Sequence, residues 1–427
     1  AHQEVIVMKV IVLGNGVAGN TAASTVRQLD KEAAITIISE ETFPEYSACA
    51  LPHYISGEHS RRRLFLRTKK DYATEKIKAI LGQKVTTIHP ESKEITLDGK
   101  SLSYDKLIIA TGSRPVIPPI QGVNLAGVFT LKSPADADRI IEGMGKAVVL
   151  IGSGPIGVET AIALRKRGLE VYLIEFLDRI MPKIFDIKPS LMLRAILEEE
   201  GITVLTGERV NSILGSAKVE GIVTDKRQIE CDEVVMGVGM RPNVELAKQA
   251  GITIGSLGAI GVNRQMQTNL EDIYACGDCI QTRDMATGKE TVSPLWHNAK
   301  RQGMIAGYNC AGIAKIYPGS ETITSLDVYG THAASFGRIE AEPNQEEKVT
   351  VTERLIGNGY YRLIVSGGKI VGAQSIGNAR DMGALLYALI KRENLSKINQ
   401  IIESKPLPVN PLYHRAARYL ALQSIKE

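Results

Sequence analysis

The sequence predicts an α/β fold in which two copies of a parallel strand–turn–helix–strand unit precede a smaller mixed module. Three observations predict it. A glycine-rich string near the N-terminus is echoed 138 residues later. Both copies begin on a continuous β-branched run, the pattern of a parallel strand buried on both faces. At 427 residues, the chain also has room for about three domains of roughly 150 residues.

Taken in order, Ala1–Val7 stand ahead of Met8 and are expected to be dispensable. The apolar run Val5–Leu13 is broken by Lys9 and flows into glycines, so it reads as a strand and not as a signal peptide. The first unit is Lys9–Gly19 (KVIVLGNGVAG), then helical sequence over Thr21–Leu29, then a strand Ala34–Ile38 followed by the acid Glu40. The second is Val148–Gly157 (VVLIGSGPIG), helical sequence over Val158–Arg167, a strand Glu170–Ile174 and the acid Glu175. The acids lie 21 and 18 residues beyond the third glycine of each GxGxxG.

The chemistry needs this spacing. The first glycine (Gly14, Gly152) makes the tight turn, the second (Gly16, Gly154) lets backbone meet a pyrophosphate, and the third (Gly19, Gly157) allows close helix packing. The helix N-terminus offers N–H groups and a positive dipole to phosphate, and the acid accepts hydrogen bonds from an adenosine ribose. One GxGxxG is a weak sign, but two with strand context and a placed acid predict two Rossmann-like dinucleotide-binding domains. At the second, the Glu175 carboxylate suits a ribose 2′-hydroxyl and repels a 2′-phosphate, which favours NADH over NADPH. Arg179, nearby in sequence, would relieve part of that repulsion if it swung toward the site.

Composition excludes other classes. Lys and Arg exceed Asp and Glu by only four, too balanced for a dedicated nucleic-acid binder. Hydrophobic residues at 44% and charged residues at 23% are those of a globular chain and not a disordered one. No apolar stretch approaches the roughly 18 residues of a membrane span. The five cysteines, Cys49, Cys231, Cys276, Cys279 and Cys310, are too few and scattered for a secreted disulfide framework, so a cytoplasmic protein is expected. Glycine, at 40 residues, is in surplus, as expected where backbone must approach a ligand closely at several places.

Three further segments complete the pattern: Lys106–Pro115 (KLIIATGSRP), Glu233–Asn243 (EVVMGVGMRPN) and Ile273–Asp278 (IYACGD). In order and wording, these motifs resemble the pyridine nucleotide–disulfide oxidoreductase family of flavoproteins, over nearly the whole chain. The resemblance implies that Gly14, Gly16, Gly19 and Glu40 hold FAD, that Thr111 and Gly112 approach it, and that Asp278 bonds its ribityl chain. It implies NADH on Gly152, Gly154, Gly157 and Glu175, with Gly239 beside the nucleotide. It further implies an FAD domain of residues 1–113 and 255–320, an NAD domain of 114–254 inserted in it, and a C-terminal α/β interface domain of 321–427. In the last, Gly359–Val365 and Lys369–Gln374 read as a hairpin around Ser366–Gly368, with a helix from Met382 to Lys391.

The string Cys49–Gly57 (CALPHYISG) resembles the single-cysteine branch of that family, the coenzyme A disulfide reductases, NADH oxidases and NADH peroxidases. A thiol near a helix N-terminus and an electron-rich cofactor can ionise and attack sulfur or peroxide; the alternative is a buried, inert cysteine. His53, four residues on, shares the Cys49 face if both are helical and is a candidate acid/base. Glu159 matches a family glutamate near the nicotinamide, or is a first-turn acid favoured by the helix dipole. Trp296 and His297 fall in a stretch that lies under the flavin in relatives, with a structural role for His297 expected over proton transfer. Cys276 and Cys279 spell Cys-x-x-Cys but have no second pair at zinc spacing, so no metal is expected. Cys231 and Cys310 read as packing. Arg61–Arg63, Lys69 and Lys70 form either a solvated basic face or a site for a phosphate-rich substrate or acidic carrier.

Two functional readings follow. In the first, a homodimeric enzyme passes electrons from NADH to FAD and on through Cys49 to a disulfide, persulfide, oxygen or peroxide. In the second, the same core is an electron-transfer subunit feeding ferredoxin, rubredoxin or iron–sulfur subunits of a larger oxidoreductase, and Cys49 is a bystander. The second draws on the basic stretch and on a resemblance to NADH:rubredoxin and nitrite-reductase-type flavoproteins at Phe43–Ser47 and Arg241–Asn243. It draws also on Ser404 or Lys405 standing where coenzyme A disulfide reductases carry a tyrosine ahead of the C-terminal prolines.

Overall fold

The computed structural model describes residues 7–340, 349–356, 359–377 and 382–392. The two glycine units form two five-stranded parallel sheets of matching order. In the first, the glycine-bearing strand Lys9–Leu13 is central, with the acid-bearing strand Ala34–Ser39 and then Ile77–Leu81 on one side. Lys106–Ile109 and then Ile273–Ala275 lie on the other. In the second, Ala147–Ile151 is central between Glu170–Glu175 and Glu233–Met236, with Ile202–Thr206 and Val128–Thr130 at the edges. All eight ladders are parallel. Apart from the exposed Lys9 that opens the first, their central strands are apolar because helices cover both faces of such a sheet.

The echo runs further than the glycine motifs. Between its third strand and its return strand, each unit inserts a three-stranded antiparallel sheet: Val85–His89, Glu94–Leu97 and Lys100–Ser103 in the first, Val210–Leu214, Gly221–Thr224 and Gln228–Glu230 in the second. The Asp98-Gly99 pair, both at positive φ, is the two-residue turn that specifies the second hairpin of the first insert.

Helix Trp296–Cys310 lies across helix Val17–Leu29 at very short range. Glycine permits it: a Cβ at Gly303 would stand 2.3 Å from the Ala18 carbonyl oxygen, and one at Gly307 2.7 Å from that of Ala22. The C-terminal part is a five-stranded antiparallel sheet, in the order Ile323–Val328, Thr331–Gly337, Lys369–Ile376, Gly359–Ser366, Val349–Ile356, with helix Met382–Lys391 packed on it. The expected hairpin around Ser366–Gly368 and the expected helix are both present.

This sheet grips the segment 179–188 of the second unit. Arg362 pairs with Asp186 at 2.7 Å and with Glu353 at 2.6 Å, the Gln374 side chain accepts from the Asp186 N–H at 3.0 Å, and the Ser335 hydroxyl donates to the Ile184 carbonyl at 2.6 Å. Among the described residues no helix is long and apolar enough to cross a membrane.

Candidate active site

A single cleft of about 2090 Å³ runs between the two parallel sheets and passes both glycine turns. It is about twice the volume of an ordinary small-ligand pocket. Gly14 and Gly152 turn at φ +113° and +97°, against the backbone of the returning strand's end: a Cβ would stand 2.0 Å from the Ala110 oxygen in one and 2.6 Å from the Gly237 oxygen in the other. Gly19 and Gly157 close each loop onto itself, with a Cβ only 2.1 Å from the Gly14 oxygen and 2.0 Å from the Gly152 oxygen. Gly16 and Gly154 differ in kind. Each is the N-cap of its helix, makes no side-chain capping bond, and has no atom within 4 Å of its Cβ position. Free helix N–H groups facing an open space are the donor set that phosphate oxygens require. Both loops therefore fit a pyrophosphate.

The two acids are alike in sequence and unlike in place. Glu40 is exposed at the rim and pairs with Lys84 at 3.2 Å. Glu175 is buried and already bonded: one oxygen accepts from the Ser153 N–H at 2.9 Å and its hydroxyl at 2.7 Å, the other from the Leu177 N–H at 2.9 Å. The middle residue of the glycine loop makes the difference. Ser153 reaches the acid, whereas Asn15 turns away, donating to the Phe43 carbonyl at 3.0 Å and accepting from the Tyr72 hydroxyl at 2.8 Å. Arg179 does not relieve Glu175; it pairs with Asp178 at 3.0 Å and Glu340 at 3.5 Å.

The two Arg-Pro segments meet. Ser113–Pro115 and Met240–Pro242 pair as an antiparallel ribbon between the sheets. Thr111 and Asn243 lock it, the Thr111 hydroxyl donating to the Asn243 carbonyl at 2.7 Å and the Asn243 amide to the Thr111 carbonyl at 2.9 Å. Gly112 and Gly239 flank the ribbon at positive φ, line the cleft and have nothing near their Cβ positions. Asp278 stands on the wall, accepting from the Ser113 hydroxyl at 2.8 Å, with the Lys132 ammonium 3.7 Å away.

Cys49 is the one exposed cysteine and opens onto this cleft from a single 3₁₀ turn, Ala48–Ala50, ahead of helix Leu51–Ser56. Although the residue is open to the cleft, the protein around it screens its thiol from bulk water. That desolvation raises the thiol's pKa, and the Glu159 carboxylate raises it further, while Lys132 acts the other way. Glu159, in the first turns of helix Pro155–Lys166, also lines the cleft. Burial pushes its carboxyl up to about 7, with His53 the counteracting charge. The other four cysteines are buried. Burial pushes the Cys279 thiol up to about 11 and the Cys231 and Cys310 thiols to about 12, and the Cys279 thiol faces the Cys276 carbonyl at 3.3 Å.

The structure does not bring His53 to Cys49. Its ring bonds Glu58 at 2.7 Å and stacks near His59, outside the cleft. The i,i+4 argument fails because Cys49 lies in a 3₁₀ turn, where residues advance about 120° each, before the α-helix begins. His297 bonds the Glu321 carbonyl at 3.1 Å and stays off the cleft, while Trp296 lines it. Arg61 is spent on a bidentate bond to Asp138 and on the Phe43 and Phe65 rings. The segment Ser404–Tyr413 lies outside the described residues.

Lys132 is the site residue that sequence reasoning missed. It follows the edge strand Val128–Thr130, and only the sheet order brings it to Cys49 and Asp278.

The sequence signature described as pyridine nucleotide-disulphide oxidoreductase matches residues 8–303. An NADH oxidase of Methanocaldococcus jannaschii is 35% identical over 418 residues, covering 92% of this chain and 93% of its own. A CoA-dependent NAD(P)H sulfur oxidoreductase of Pyrococcus furiosus is 34% identical over 340 residues, 78% of this chain and 75% of its own. Among solved structures, an NAD-dependent persulfide reductase from A. fulgidus superposes with a TM-score of 0.88 at 30% identity, over 98% of this chain and 83% of that one.

Proposed function

The chain belongs to the pyridine nucleotide-disulphide oxidoreductase family and is an FAD-dependent NADH oxidoreductase; from that premise we propose that Cys49 hands its electrons to a sulfur acceptor, a disulfide or persulfide. The observation that carries this reading is the position of Cys49: the one exposed thiol opens onto the cleft that both nucleotide turns share. In this reading the first turn (Gly14, Gly16, Gly19), Glu40, Thr111, Gly112 and Asp278 hold FAD, in a domain of residues 1–113 and 255–320. The second turn (Gly152, Gly154, Gly157), with Glu175 and Gly239, holds NADH in the domain 114–254. Residues 321–427 form the interface domain of a homodimer.

FAD held on those residues would supply two-electron transfer between NADH and an acceptor. The protein's own part is sulfur and proton handling. The Cys49 thiolate attacks one sulfur of the acceptor, forming a mixed disulfide and expelling the other sulfur as a thiolate or hydrosulfide. Two electrons originating from NADH then cleave the mixed disulfide, releasing the bound acceptor sulfur as a second thiolate and returning Cys49 to the thiolate. Glu159, with its carboxyl near 7, is suited to take the Cys49 proton and give it to the leaving sulfur. Lys132 supports the thiolate against that carboxylate. His53 has no part in this reading.

Anaerobic titration with NADH tests it. Reduction of the oxidised enzyme should consume more than the one equivalent that flavin alone needs, and Cys49→Ser should abolish both the excess and turnover with disulfide or persulfide. If Cys49→Ser keeps full acceptor activity, and the native mass is that of a heteromeric assembly, the electron-transfer reading replaces this one.

A further inference from the structure

The acid of the second unit has little left to offer a ribose. Three donors already occupy the Glu175 carboxylate, which is buried, and a carboxylate has only about four acceptor positions. What faces the cleft is its neighbour. Phe176 is 56% exposed and lines the cleft beyond the acid. Over its ring, 4.6 Å from the centroid, stands the guanidinium of Arg209, itself cleft-lining. Arg209 is exposed and makes no ion pair among the described residues.

The backbone fixes this arrangement. The Glu208 N–H donates to the Glu175 carbonyl at 3.1 Å, and the Arg209 N–H donates to the Asp225 carboxylate at 3.0 Å. Glu208 points inward, bonded to the Thr224 hydroxyl at 2.7 Å and to Arg227 at 3.0 Å. Arg209 is thus a cation left unspent, among the described residues, at the end of the strand pair that carries the acid. A nucleotide on a strand–glycine turn–helix unit brings its adenosine ribose to that end, and an arginine there can accommodate a 2′-phosphate. The planar fork suits a phosphate, and stacking on Phe176 holds it ready without a competing carboxylate.

We propose that Arg209, stacked on Phe176, is a specificity residue that admits the 2′-phosphate of NADPH beside Glu175, so that the enzyme uses both nicotinamide dinucleotides. The proposal rests on the second glycine turn holding the nicotinamide nucleotide. It also qualifies the preference for NADH read from Glu175 alone.

Calorimetry of the oxidised holoenzyme with 5′-AMP and 2′,5′-ADP tests it without turnover. The wild type should bind 2′,5′-ADP at least as tightly as 5′-AMP. Arg209→Ala should weaken 2′,5′-ADP about tenfold more than 5′-AMP, the worth of one charge-assisted contact. Arg209→Glu should widen that gap, and the kcat/KM ratio of NADPH to NADH should fall in step. Equal weakening of both probes, or an unchanged ratio in Arg209→Ala, overturns the role of Arg209. Wild-type enzyme that gives no heat with either probe or with NADH overturns the assignment of the second turn as well.

Discussion

Cys49 and Glu159 show how much of the chemistry rests on single side chains placed by different elements. The thiol comes from a 3₁₀ turn of the first unit and the carboxyl from the first helix of the second. Both are driven toward their neutral forms by burial, and the Glu159 charge further opposes ionisation of Cys49. Removing the Glu159 charge should therefore lower the Cys49 pKa, and removing the Lys132 charge should raise it. Rates of iodoacetamide labelling of Cys49 in the holoenzyme against pH would measure this: Glu159→Gln should move the profile to lower pH and Lys132→Met to higher. Two profiles that overlay the wild type would show that neither group senses the thiol. His53 teaches the converse lesson, since spacing in sequence brought it near Cys49 only on the assumption of continuous α-helix.

The glycine loops are the element in which local sequence says most. Gly16 has φ −77° and ψ −177° and nothing within 4 Å of its Cβ position, so alanine there strains neither backbone nor packing. Gly19 has the Gly14 oxygen 2.1 Å from its Cβ position, so alanine there must push the loop apart. Gly16→Ala should fold with its melting temperature nearly unchanged yet purify with reduced flavin. Gly19→Ala should lose about 1–3 kcal/mol of stability, as overpacked sites do, along with its flavin. Thermal melts beside flavin absorbance separate the two, and full flavin in Gly16→Ala would mean that the loop does not approach the cofactor. The same strand–turn–helix logic was legible in both copies, and so was the Ser366–Gly368 hairpin. The three-stranded inserts were not read, although Asp98-Gly99 marks the first. The meeting of Ser113–Pro115 with Met240–Pro242 could not be read at all, since the two lie over a hundred residues apart.

Over the whole molecule, stability carries a charge that the site does not use. Glu233 starts the return strand of the second sheet, fully buried, with one oxygen accepting from the Gly145 N–H at 2.7 Å and the other without a partner. Burial, and then the Asp232 charge, push its carboxyl up to about 7 against an ordinary 4.5. The folded state therefore keeps a proton that the unfolded chain releases. Its contribution is full below pH 4.5, declines as pH rises from there to 7, and is gone above. Glu233→Gln keeps the bond to Gly145 and removes the titration. It should be more stable than wild type at pH 8 by up to roughly 3 kcal/mol and nearly equal at pH 4. Denaturation at the two pH values checks this, and parallel pH dependences for the two proteins would refute it.

By itself the sequence determined the two nucleotide turns, their helices and acids, and the cysteine worth testing. These features are local: a glycine at positive φ, a helix start and a strand end are decided within about twenty residues. Tertiary structure alone decided which of those parts share a cleft. It made Glu175 a bonded, inward acid and Glu40 an exposed one, through Ser153 and Asn15. It carried Lys132 to Cys49, turned His53 away, and left Arg209 without a counter-charge among the described residues over Phe176. Such outcomes depend on sheet order and on competition among donors far apart in the chain, and no spacing along one strand or helix encodes them.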